Sequence, residues 1–401
     1  MGRPSIGSYS RAPSAPTGRQ ERASYLALFR GRSFFRFFLS QGFSSLGDWI
    51  GMIAVLTLAR RLTQDEFAVA AMLLARLIPA LFFGPLAGVI VDRWNRKRVM
   101  VACDLGRAVL VATLPFVEQI GRAIPWLRPV VVLFVVSAAL EVLTLLWQPA
   151  QAASLPHMVP RRELLHANSL MLLGAYGTFP VSGAAFSLLA GLSRWLGGAF
   201  DLFRTLRINE EHLAFFFDAF TFTVSALITA TLAIPRGRRS VKPFDLRQIW
   251  EELGEGIRFI KDHPLVRPWV LGIATIYGGV GIFMAVSVFH TGEVLGAGAA
   301  GFGLLVTAVG IGLGLGFASA GVSSRLAARD VLFSITVFGL GFALMAFASV
   351  STLSVGLLLG GILGAFAGLA YPSGLTLVQQ NVRDELRGRT LASMYSAVRL
   401  V

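Results

Sequence analysis

The chain has 401 residues, of which 55% are apolar and 14% charged, and its mean hydropathy is +0.67. Those values exclude a soluble two- or three-domain protein and a disordered chain; one cysteine and 43 glycines without a triplet period exclude a disulfide scaffold and a collagen-like fibre. The net charge of +14 is almost all arginine, with Lys97, Lys242 and Lys261 as the exceptions, and in so apolar a chain it points to membrane topology rather than to nucleic acid.

Residues 1–33 hold six arginines among Gly, Pro and Ser and are expected to form a disordered basic cytoplasmic tail. Ten mostly apolar runs follow, each long enough to cross about 30 Å of hydrocarbon as a helix. They are 34–59, 67–91, 99–119, 128–148, 167–191, 212–234, 268–290, 300–322, 331–350 and 353–374, here spans 1 to 10. An eleventh opens near Thr390 and stops at Val401, too short to cross, so the second half is expected to be truncated in span 11. Between spans 6 and 7, residues 235–267 form a cytoplasmic linker whose Phe244, Ile249, Trp250, Leu253, Ile257 and Ile260 fall near helical spacing, as in an amphipathic interfacial helix.

Lys and Arg are distributed unequally between the loops. Alternate segments beginning with the tail carry 25 of them and the opposite segments 7, which predicts an amino terminus in the cytoplasm of a multi-pass cell-membrane protein. Internal repetition divides the chain. Gly88-Val-Ile-Val-Asp92-Arg-Trp-Asn-Arg96 closes span 2, and Gly321-Val-Ser-Ser-Arg325-Leu-Ala-Ala-Arg329 closes span 8, a shift of 233. Pro149 precedes Arg-Arg-Glu-Leu164 after span 4 as Pro372 precedes Arg-Asp-Glu-Leu386 after span 10. The expected fold is an all-α integral membrane bundle of two parallel halves, 34–234 and 268–401, around a midplane site, which is a transporter plan.

The stretch Gly84-Pro-Leu-Ala-Gly88-Val-Ile-Val-Asp92-Arg93-Trp-Asn95-Arg96-Lys97-Arg98 resembles the inner-loop signature of the major facilitator superfamily, Gly-x-x-x-Asp-Arg-x-Gly-Arg-Arg, with Asn95 in place of the last glycine. Asparagine tolerates a left-handed backbone, so the tight turn is expected to survive the replacement. The resemblance implies a conformational latch at Gly88, Asp92, Arg93, Arg96 and Lys97 that closes on the amino end of span 11, with Arg387, Gly388 and Arg389 as a partner motif. Further stretches resemble the enterobactin-exporter and macrolide-efflux-like branch. Among them are Ser45-Leu-Gly-Asp48-Trp, Ala75-Arg76-Leu-Ile-Pro79, Asp104-Leu-Gly-Arg107-Ala, Asp218-Ala-Phe-Thr-Phe222 and Asp384-Glu-Leu-Arg-Gly388-Arg389. Exporters of the superfamily often carry Gly-Pro-x-x-Gly-Gly in span 5, where this chain has Phe179-Pro180-Val-Ser-Gly183-Ala184. The two missing glycines weaken an inference of antiport.

An ionisable side chain inside a membrane needs a partner or a wet cavity, since insertion costs about 2.5–3.5 kcal/mol at the centre. Asp48, Arg76 and Glu141 lie well inside spans 1, 2 and 4, while Asp104 and Arg107 share a face of span 3 at i, i+3 spacing. Asp48 and Glu141 are the candidate proton acceptors or cation-substrate sites; the alternative is a structural ion pair with Arg76 or Arg107. Asp104 with Arg107 reads as an internal pair. Glu118 and Asp218 fall near enough to the outer interface to be wetted. The five histidines show no metal spacing, and neither a metal nor another cofactor is expected. Gly356, Gly360, Gly364 and Gly368 recur every fourth residue of span 10, which favours close helix packing or a surface on which the halves slide.

These features point to a monomeric secondary active transporter, not an enzyme, that expels a lipophilic small molecule in exchange for protons. Its partners would be that substrate, protons and the lipid bilayer, with no nucleic acid. No Gly-x-x-x-x-Gly-Lys-Ser/Thr loop occurs to bind a nucleotide phosphate. Alternatives are a lysophospholipid flippase, a siderophore exporter or, in another class, a non-transporting membrane scaffold or sensor, or an inactive fragment.

Overall fold

A computed structural model describes residues 28–124, 128–160, 163–200, 209–234, 254, 257–258, 260–264, 266–326 and 328–381. The basic tail, most of the amphipathic linker stretch and the eleventh run, with Arg387, Gly388 and Arg389, lie outside the described residues. Within them each of the ten predicted runs is met by helix. We number these α1 (Arg32–Thr63), α2 (Glu66–Arg93), α3 (Arg96–Thr113), α4 (Val117–Ala123), α5 (Pro129–Ser154), α6 (Leu164–Tyr176), α7 (Thr178–Ala199), α8 (His212–Ala230), α9 (Val266–Phe289), α10 (Gly298–Leu326), α11 (Arg329–Ala348) and α12 (Leu353–Asn381). Nine stretches among the described residues are long and apolar enough to cross a membrane, and α2 adds a further continuous helix of 28 residues. This is a multi-pass membrane protein.

Local chemistry sets the helix ends. At one end of the bundle, called distal here, Gln64 takes a left-handed φ of 50° that closes α1, and the Asp65 side chain accepts the Phe67 N–H at 2.9 Å to open α2. At the opposite, proximal end Asn95 opens α3. Its backbone is extended, φ −75° and ψ 108°, and its side chain accepts the Arg98 N–H at 3.2 Å. The expected left-handed turn is therefore corrected: Asn95 is tolerated as an N-cap, a position where its side-chain oxygen satisfies an otherwise orphaned amide.

Span 5 was expected as one run and is two helices that meet at Gly177. Pro180 has no amide hydrogen to offer the Tyr176 carbonyl, which weakens the ladder at that turn. The neighbouring Ala175 carbonyl accepts from Trp49 Nε1 at 2.9 Å and from the Thr178 hydroxyl at 3.1 Å. The repeat is visible in the proline positions, since Pro149 lies inside α5 and Pro372 inside α12.

One apolar core runs through both halves, from Ile50, Phe186 and Phe215 to Phe302, Leu363 and Ala370. A second, built around Phe34, Met100, Trp147 and Met171, joins the proximal ends of first-half helices. Large apolar side chains also cover the outside: Phe338 and Phe342 are 76% and 73% exposed. Such a surface suits lipid and not water.

Candidate functional site

The charges foreseen inside the first half converge on one place. Arg107 of α3 lies at its sealed end, with its side chain 1% exposed, and its Nη2 donates to the fully buried Asp104 carboxylate one turn earlier on α3. Nη2 also donates to the Ser44 hydroxyl at 3.0 Å, while Nη1 donates to Asp48 Oδ2 at 3.1 Å. The guanidinium stacks over Phe222, 4.4 Å from the ring centroid, so apolar contact and hydrogen bonds share the cost of burying it. Asp104 Oδ2 accepts in turn from Trp147 Nε1 at 3.2 Å and from the Ser225 hydroxyl at 2.8 Å. With a cation and two neutral donors, Asp104 is a satisfied buried carboxylate.

Asp48 passes the connection outward. Its Oδ1 lies 3.8 Å from Arg76 Nη2, and Arg76 Nε donates to Glu141 Oε2 at 3.2 Å. The five predicted charges thus form a chain, Asp104–Arg107–Asp48–Arg76–Glu141, that links α3, α1, α2 and α5. Its two ends differ: Asp104 and Arg107 are sealed, whereas the Asp48 and Arg76 side chains are 26% and 29% exposed. Asp48 and Arg76 line a cavity of about 30 Å³ with Met52, Met72, Leu140 and Phe222. That volume admits water, and a drug-sized ligand needs about ten times more.

The sequence reading missed Asp218. It was placed near a wetted interface and is instead 1% exposed on α8, against the same cavity. Depth misled, because seven residues from a helix start is shallow in a membrane but not behind packed neighbours. The available signal was phase. Asp218, Thr221, Ser225 and Thr229 repeat at helical spacing, facing Ser40, Gly47 and Gly51 of α1, and the Ser40 hydroxyl bonds those of Ser225 at 3.0 Å and Thr229 at 2.7 Å.

The two halves meet through α7 and α10 and at the distal end. A Cβ on Gly183 would lie 2.6 Å from the Gly303 carbonyl, one on Gly310 would lie 2.8 Å from Pro180 Cα, and the Ser187 hydroxyl donates to the Ala300 carbonyl at 2.9 Å. Distally, Arg60 of α1 pairs with Glu293 in the π turn after α9, packs against Gly292 and lies 5.5 Å from the Phe289 ring centroid. Its neighbour Arg61 is held within the first half by Glu118 and by Glu211 at 2.6 Å. Beside them burial raises the Glu210 carboxyl above its ordinary range, against the pull of Arg194 at 3.4 Å.

The span-10 glycines lie within the second half. Gly360 faces Leu305, where a Cβ would lie 2.6 Å from Cδ1, and Gly364 and Gly368 rest directly on the Val309 and Leu313 carbonyls of α10. Of the two expectations for these glycines, the contacts are those of close helix packing, while the close backbone contact between the halves is made by α7 and α10. In the stretch expected to act as a latch, Gly88, Asp92 and Arg93 close α2 and Lys97 lies in the first turn of α3. Arg96 Nη1 donates to the Ala153 carbonyl of α5 at 3.0 Å. Among the described residues no group of three His, Cys, Asp or Glu converges to hold a metal.

The sequence profile of the Major Facilitator Superfamily matches residues 37–401. The chain belongs to the Major Facilitator Superfamily. Among curated relatives, the uncharacterized MFS-type transporter YfiS of Bacillus subtilis is 26% identical over 57% of this chain and 49% of its own length. The uncharacterized MFS-type transporter Rv0037c of Mycobacterium tuberculosis is 31% identical over 39% of this chain and 34% of its own. Macrolide efflux protein A of Streptococcus pyogenes is 28% identical over 33% of this chain and 31% of its own. The chain thus spans about half the length, or less, of these relatives. In structure it is similar to a bacterial homologue of the human lysosomal transporter Spinster, with TM-score 0.66 and 16% identity over 96% of this chain and 80% of that one. It is also similar to the nucleoside transporter NupG, with TM-score 0.67 and 12% identity over 94% and 88%. At those identities the likeness is one of fold, and it is a superfamily bundle that encloses the ion chain.

Proposed function

We propose that this superfamily member is a secondary active exporter of a lipophilic small molecule, driven by proton flow in the opposite direction and coupled through Asp48 and Glu141. The observation that carries the reading is the shared guanidinium. Arg76 stands between two carboxylates, and Asp48 stands between two guanidiniums, beside space for water. A proton arriving on Asp48 removes the charge that ties α1 to both α2 and α3. Arg76 Nη2 is then freed from Asp48 while Nε keeps Glu141, and the contacts that hold the three helices together weaken. Ion pairs that open in this way convert a protonation into a change of helix packing. The relationship to macrolide efflux protein A supports export and a lipophilic substrate.

The loop bias supports a cytoplasmic proximal end, with the halves 34–234 and 268–401 joined there by the linker 235–267. The Arg60–Glu293 pair then closes the outer side. Because the cavity is water-sized, substrate admission requires the halves to part, with Gly183 and Pro180 moving against Gly303 and Gly310. Asp92, Arg93, Arg96 and Lys97 would latch the inner side. The test is flux of a panel of dyes, siderophores and lysolipids through proteoliposomes under an imposed pH gradient. At least one compound should move against its own gradient and collapse when a protonophore is added; flux indifferent to the protonophore throughout would overturn proton coupling.

A further inference from the structure

Asp218 is buried, makes no ion pair among the described residues and is packed on glycine. Among the described residues no donor reaches its Oδ1, and its two oxygens lie against Gly47 and Gly51 of α1, where any side chain would overlap them. Gly47 directly precedes Asp48 and Gly51 follows it by one turn, so the two carboxyls share one helix contact and one cavity. The charged groups around Asp218 are Asp48 on α1, Asp104 and Arg107 on α3, and across the cavity Arg76 of α2 with Glu141 of α5 behind it. The charged residue of α7, Arg194, is at its distal end and pairs with Glu210; Glu118 of α4 is likewise distal, paired with Arg61.

Both interior guanidiniums are already committed, Arg107 to Asp104 and Asp48, and Arg76 to Asp48 and Glu141. A fourth ionised carboxylate here would be a buried charge without a partner, the arrangement that low-dielectric surroundings penalise most. A neutral acid avoids that penalty, and the glycine slot fits a carboxyl group without needing a cation. We propose that Asp218 is a proton-binding site of this transporter, holding its proton in the conformation seen here and releasing it through the cavity when Arg76 leaves Asp48. The step conserves charge: the O–H bond of Asp218 breaks, its proton passes to cavity water, and the carboxylate left behind takes Arg76 as counter-ion. The proton's use in transport rests on the exporter reading above; its presence on Asp218 does not.

Infrared difference spectroscopy of the full chain in lipid, recorded while pH is raised, reads the proton directly. A buried neutral carboxyl gives a C=O band separate from ionised carboxylates. The band should be present in the parent and lost in Asp218→Asn and in the smaller Asp218→Ser, but retained in Glu118→Gln; thermal unfolding of each variant in detergent establishes that it is folded. A folded Asp218 variant with the parent's band intact would overturn the assignment. In proteoliposomes, gradient-driven accumulation by Asp218→Asn should fall at least tenfold, and the protons moved per substrate should decrease. Loss of the band with undiminished accumulation would confine Asp218 to structure and overturn its role in transport. If the parent itself shows no proton-driven flux, the exporter reading fails while the infrared result still decides the protonation of Asp218.

Discussion

The two halves solve the same packing problem with opposite chemistry. Aligning the repeat through Gly88 and Gly321 places Val309 of α10 at the position of Arg76 in α2, and aligning it through Pro149 and Pro372 places Gly364 of α12 at the position of Glu141 in α5. In the first half those residues form an ion pair, Arg76 Nε to Glu141 Oε2 at 3.2 Å. In the second half Gly364 packs on the Val309 carbonyl. One α-helix pair is joined by long charged side chains, and its counterpart by backbone contact that leaves nothing to titrate. The difference puts this ion pair in the first half and close backbone packing in the second, which is why the proposed proton chemistry is placed in the first.

Replacing Arg107 with Leu tests the charged side of the comparison most severely. It strands the sealed Asp104 and unties Asp48, and breaking a buried pair costs about 3–5 kcal/mol. The melting temperature in detergent should fall sharply, and unchanged melting would mean the chain is not an interdependent unit. On the glycine side, Gly364→Val forces two methyl groups into a backbone contact and should cost about 1–3 kcal/mol by the same measurement. A neutral effect there would dissolve the contrast between the halves. The smallest expected change in stability is for Arg60→Ala, about 0–1 kcal/mol for a partly exposed pair. Its effect should appear instead in access: a cysteine placed at Ala300 in a Cys103→Ser background should react faster with a membrane-impermeant thiol reagent when Arg60 is absent. Equal rates would show that the pair does not close the distal end.

Much of the fold was legible because a membrane writes strong rules into sequence. Helices must be long and apolar to satisfy their backbones in lipid, so all ten predicted runs are helical. The five charges could be named because each is costly where it stands, though their order in a chain could not, since pairing depends on how the four helices rotate about their axes. Asp218 was misplaced for the same reason. Its depth along α8 was readable, but its burial comes from Gly47 and Gly51 on another helix, more than 160 residues away in sequence. Span 5 looked continuous because hydropathy ignores Pro180, and Asn95 was assigned a turn conformation when its capping ability was the property in use.

The most direct test of the account is Asp48→Asn in the full chain, reconstituted in proteoliposomes with a substrate found by the flux panel. Asparagine keeps the shape of Asp48 and removes the charge that joins Arg107 to Arg76. Accumulation driven by a pH gradient should fall at least a hundredfold in rate, which corresponds to the loss of about 2.7 kcal/mol of coupling. Coupled transport by Asp48→Asn at the parent's rate would contradict the central claim that protons act through the ion chain of the first half.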